Sequence, residues 1–173
     1  AVIHGKHYHE ETRATASQVT RHPGGRYLVV LNMGEAQLLC DFIERGGDAE
    51  ALAARFEQRY SPGFDFARDL ERVGVANQTT MLSGESLAIA AELRTSMERR
   101  YGIEALGQHF RSFDTICSAT QDRQDAVRAL LEEPLDLMVI VGGYNSSNTC
   151  QLATLVESRG LRGFHIEDAD CID

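Results

Sequence analysis

Residues able to seat an anion, carry a proton or hold a metal are concentrated in four short stretches. In Leu135–Cys150 (LDLMVIVGGYNSSNTC) the quartet Asn145-Ser146-Ser147-Asn148 follows Gly142-Gly143 and precedes Leu152, Leu155 and Val156 at helical spacing. The first turn of a helix has unpaired N–H groups and the positive end of the dipole, and short hydroxyl and amide side chains add donors, which together suit a phosphate-like anion. Ser146 or Ser147 could equally act as a plain helix cap, and local sequence leaves both readings open. His4-Gly5-Lys6-His7-Tyr8-His9-Glu10-Glu11-Thr12 holds three of the six histidines. In an extended segment His7, His9 and Glu11 share a face, as zinc ligands would, but the spacing is not HExxH and a solvated polar loop explains it as well. Cys117 precedes a helix whose expected cap is Thr120; a helix start favours the thiolate that a nucleophile or a soft metal needs, whereas a small packed thiol is the alternative. Asn77-Gln78-Thr79-Thr80 ends the apolar run Val73–Ala76, at the strand end where α/β sheets bind ligands or in an ordinary turn leading to a cap at Ser83.

Alternating strands and helices must hold these stretches. Leu135–Val141 reads as a strand buried on both faces, and Tyr27–Leu31, Val73–Ala76, Gly163–Ile166 and Ala1–Ile3 read as further strands. Helices are expected over Thr12–Thr20, after an Asn32 cap with the stripe Leu38, Leu39, Phe42 and Ile43, and from Asp48 to Tyr60. Another carries Ser86, Ile89, Leu93 and Met97, and another Ala126, Val127, Leu130 and Leu131. Gly107–His109 is read as loop, and residues 47–70 as a surface insertion. The fold class is α/β, with parallel-sheet lobes and flanking helices, divided into 1–112 and an incomplete 113–173.

Composition narrows the partners. The 173 residues carry a net charge of −9, which argues against nucleic acid or an anionic membrane as the main partner. No apolar run reaches the length of a membrane span. The four cysteines, Cys40, Cys117, Cys150 and Cys171, match no zinc ribbon or CxxC spacing, and reduced thiols in an intracellular protein are the expectation. The chain is read as a fragment cut at both ends.

Four segments in this order, His9-Glu10-Glu11-Thr12, Asn77-Gln78-Thr79-Thr80, Thr115–Thr120 with Arg123-Gln124-Asp125-Ala126, and Asn145-Ser146-Ser147-Asn148, resemble the 4-hydroxy-3-methylbut-2-enyl diphosphate reductase (LytB-type) family. The HGKxxHEETxATAS-like opening and the insertion after Gly46 resemble its longer cyanobacterial and plant form. The resemblance implies part of a three-lobed α/β protein around a central 4Fe–4S cluster. It implies reductive removal of an allylic hydroxyl in the non-mevalonate isoprenoid pathway, giving isopentenyl and dimethylallyl diphosphates, with ferredoxin or flavodoxin as electron donor. A cytoplasmic location, or the plastid stroma for a plant or algal source, goes with it.

Residue by residue, the resemblance implies that Cys117 is one of three cluster cysteines and that Glu11 delivers protons. Thr79 contacts the substrate alcohol, while His9, Ser146, Ser147 and Asn148 hold the diphosphate. Gln78 and Thr80 stand behind them. The other two cluster cysteines and further phosphate ligands are expected outside this chain. Two other classes fit part of the pattern: a non-redox phosphate-binding α/β module, and a zinc hydrolase built on His4, His7, His9 and Glu11.

Overall fold

The structure, a computed structural model, describes every residue except Asp114, Ile116 and Asp173. The described chain forms two compact units, Ala1–Gln78 with Gly84–Thr115, and Thr79–Ser83 with Ile116–Asp173.

The first unit is built on a four-stranded parallel sheet in the order β2-β1-β3-β4, with β1 Val2–His4, β2 Leu28–Val30, β3 Val73–Asn77 and β4 Phe110–Ser112. Strand residues alternate between two cores, as a period of two requires. Val2, Leu28, Val30, Val73 and Val75 face one layer, with Leu39 and Ile43 of α2 (Met33–Arg45) and Ile89, Leu93 and Met97 of α5 (Ser83–Tyr101). Ile3 and Val29 face the other, with Ala16 of α1 (Glu10–Arg21). Helices on both faces are what an all-parallel sheet needs, because each strand is apolar on both sides.

Local rules set most helix ends. Asn32 caps α2 by accepting from the Glu35 N–H at 3.0 Å, and Asp48 caps α3 (Ala49–Arg55) in the same manner. Helix α3 stops at Arg55 rather than Tyr60; Phe56 is fully buried, and Gln58 has a positive φ of 63° where the chain turns back. The stretch 47–70, read as a surface insertion, is exposed over more than half of its residues and sends a few side chains inward. Phe56, Phe66 and Leu70 are buried in the main cluster, and the Val29 and Ser61 N–H groups bond to the Arg59 and Tyr27 carbonyls. The segment, with the short α4 (Phe66–Asp69), thus satisfies the free edge of β2. Residues 107–109, read as loop, end a further helix, α6 (Ile103–His109), opened by Gly102 at φ 81°.

In the second unit β5 (Met138–Val141) and β6 (Gly163–Ile166) form a parallel pair, packed with α8 (Ser147–Ser158), which in turn packs on α7 (Ser118–Leu130). Residues of this chain cover one face of the strand read as buried on both. Ile140 is buried, while Val139, Val141 and Phe164 are 44%, 64% and 48% exposed. The expected stripe on α7 also differs: Thr120 and Gln124 are its buried residues, and Leu130 is half exposed. A pattern of apolar residues marks a face that can be buried, not the neighbour that would bury it.

Candidate functional site

In the first unit the candidate residues follow β1. His9 ends the connecting loop and caps α1, its Nδ1 accepting from the Glu11 N–H at 3.3 Å. Glu11 is therefore helical and half-buried in the first turn, not aligned with His7 and His9 on an extended face. Its neighbour Thr12 is buried and donates to Gln78 Oε1 at 3.2 Å, and the Lys6 N–H donates to the same oxygen at 3.1 Å. The Gln78 N–H closes the loop by donating to the His4 carbonyl at 2.8 Å. Gln78 thus ties the end of β3 to the start of α1, and Gly5 lets the two approach: a Cβ there would lie 2.6 Å from Thr12 Oγ1 and 2.9 Å from Gln78 Cβ.

His4 is not part of a histidine cluster. It is fully buried, with Nδ1 2.8 Å from Ser86 Oγ and Nε2 3.2 Å from the Leu31 carbonyl oxygen. A carbonyl only accepts, so Nε2 carries the proton and the Ser86 hydroxyl donates to Nδ1. Burial holds the His4 pKa below its usual 6.5, against the opposing pull of Glu85 and the Leu31 bond. His7 is exposed and meets Tyr8 edge-on. Among the described residues no group of three or more His, Cys, Asp or Glu side chains is placed to hold a metal ion.

The second unit contains the other five residues. Cys117, rather than Thr120, occupies the cap position of α7; its exposed Sγ lies 3.0 Å from Thr120 Oγ1. Ile116 of the same motif lies outside the described residues. Thr79 sits in the turn after β3, and that turn belongs to this unit because two helices hold it. Gln124 of α7 bonds to Met81 and Ser83, and Gln151 of α8 reaches Met81 Sδ at 3.8 Å. Ser146 caps α8, accepting from the Thr149 N–H at 3.3 Å and from Thr149 Oγ1 at 2.9 Å. Ser147 and Asn148 are the first two helical residues, and Asn148 Oδ1 is buried with no partner among the described residues. Gly142 is required where Thr149 comes close: an added Cβ would lie 2.7 Å from Thr149 Oγ1. Gln124 went unassigned in the sequence reading. The available signal was its place four residues after Thr120, on the same helical face.

Each candidate segment thus lies at or just beyond the carboxyl end of a parallel strand: His9 and Glu11 after β1, Thr79 after β3, Cys117 after β4, and Ser146–Asn148 after β5. Ligands of open α/β sheets sit at such ends. A 4Fe–4S cluster takes several cysteine thiolates. Cys117 follows β4, Cys150 lies in α8 after β5 and Cys171 follows β6. Among the described residues these thiols form no group placed to hold a metal, so the chain's own described residues do not complete such a site.

A protein from Gloeobacter violaceus named 4-hydroxy-3-methylbut-2-enyl diphosphate reductase is 56% identical over 170 residues, covering 98% of this chain and 40% of that protein. One of the same name from Thermosynechococcus vestitus is 52% identical over 172 residues, covering 99% and 42%. The chain therefore spans about two fifths of the length of the curated relatives it matches. The solved structure of E-1-hydroxy-2-methyl-but-2-enyl-4-diphosphate reductase from Plasmodium falciparum aligns with 99% of this chain and 42% of its own, with a TM-score of 0.64 and 17% identity, which is a likeness of fold. The family described as LytB protein matches residues 1–173, the whole chain. On that match this chain belongs to the LytB protein family.

Proposed function

We propose that this chain is the central part of a 4-hydroxy-3-methylbut-2-enyl diphosphate reductase. The whole protein takes two electrons and two protons, cleaves the allylic C–O bond, releases water and yields isopentenyl or dimethylallyl diphosphate. One observation supports this most: the four segments that carry the family's resemblance all lie at or just beyond the carboxyl ends of parallel strands. In this reading His9, Ser146, Ser147 and Asn148 hold the diphosphate, and the buried Asn148 Oδ1, with no partner among the described residues, is an atom poised for a further contact. Thr79 contacts the substrate alcohol, Glu11 supplies a proton to it, and Cys117 provides one thiolate to a 4Fe–4S cluster completed by thiols from elsewhere in the protein. Ferredoxin or flavodoxin supplies the electrons, in a bacterial cytoplasm or plastid stroma.

The test is anaerobic purification of the full-length protein, iron and labile-sulfide analysis, and turnover with a one-electron donor. Iron and sulfide with product formation is the expected result. A protein that binds inorganic diphosphate but neither holds iron nor reduces the alcohol would instead be a non-redox phosphate-binding module.

A further inference from the structure

Gln124 is fully buried on α7, seven residues after Cys117, which is two helical turns. Its side chain grips the segment that follows Thr79 and Thr80. Gln124 Oε1 accepts from the Ser83 N–H at 3.0 Å and from Ser83 Oγ at 3.0 Å, and Nε2 donates to the Met81 carbonyl at 2.9 Å. A backbone donor on one side and a backbone acceptor on the other leave one orientation for the amide. The Ser83 N–H opens α5 and has no partner within its own helix, so Gln124 caps that helix from another one. Arg128 Nη2, 3.5 Å from Gln124 Oε1, is itself paired with Asp125.

We propose that Gln124 is a positioning residue for the reductase: it locks the Thr79–Ser83 turn to the helix that starts at Cys117 and thereby sets the Thr79 hydroxyl. The proposal rests on the reductase reading above. The bonds of Gln124 to Met81 and Ser83 fall on the turn that carries Thr79, so its effect belongs to the step at the substrate alcohol and not to diphosphate binding.

The experiment is a double-mutant cycle in the full-length, cluster-loaded protein with Gln124→Leu and Thr79→Val. Gln124→Leu alone should lower kcat at least tenfold, while the Kd for inorganic diphosphate and the iron content stay within twofold. On top of Thr79→Val it should change kcat by less than twofold, because the hydroxyl it positions is gone. Multiplying effects, a parallel loss of diphosphate affinity, or unchanged turnover would each overturn the proposal. Should Gln124→Leu not fold, Ser83→Ala goes through the same cycle; it removes one donor onto Gln124 and leaves the bond to Met81. About a threefold loss that vanishes in the Thr79→Val background supports the proposal, and an additive loss overturns it. A wild-type protein that holds iron but leaves the alcohol intact sinks the reductase reading and this role together; an active wild type with additive variants sinks this role alone.

Discussion

At the scale of single residues the chemistry separates into groups that react and groups that hold. Cys117 is exposed at a helix start while Cys40 is buried, and burial raises the Cys40 thiol pKa. Cys117→Ser in the full-length protein should abolish turnover and deplete iron and sulfide, whereas Cys40→Ala should leave both unchanged. Glu11→Gln should cut kcat by about 10²-fold or more, the usual worth of a proton donor, with inorganic diphosphate affinity changed little. His4 gives a pH signature. Its folded pKa lies below that of the unfolded chain, so its contribution to stability is full above about 6.5. As pH falls through that value the unfolded chain gains a proton that the buried ring resists, and stability drops until the folded pKa is passed. His4→Gln should flatten this acid-side fall in the urea midpoint, and an unchanged slope would show that His4 is not its source.

At the scale of elements, close approach and caps decide where the site residues stand. Gly5→Ala would press a methyl into Thr12 and Gln78 and should destabilise the first unit by about 1–3 kcal/mol, the range for overpacking. Ser146→Ala removes the α8 cap and should cost about 1 kcal/mol, read as faster amide exchange in the first turn of that helix. The inward side chains of the segment 47–70 give the sharpest contrast with a surface insertion. Phe66 packs against Phe42, Phe56, Tyr60 and Phe64. Phe66→Ala should therefore cost about 3–5 kcal/mol, where an exposed insertion would show almost none.

At the scale of the whole molecule the chain crosses between its two units in an uneven way: Thr79–Ser83, early in the sequence, is held by helices from the second half. No helix among the described residues is long and apolar enough to cross a membrane. What could be read from residue order was whatever local physics controls. Caps at Asn32, Asp48 and Ser146 and strands at Leu28–Val30, Val73–Asn77 and Gly163–Ile166 follow from hydrogen-bonding side chains and apolar runs acting within a few residues. The ordered motifs likewise pointed to the family. Only the tertiary structure decided which apolar runs this chain itself covers, because burial depends on partners far along the chain: residues of this chain enclose Phe66 and leave Val141 open. Only it showed that His9 caps a helix, that His4 turns inward to Ser86, and that Gln124 spans 43 positions to reach Met81. Such contacts join residues whose sequence neighbourhoods carry no sign of one another, and the free energy that selects them comes from packing and from pairing buried polar groups.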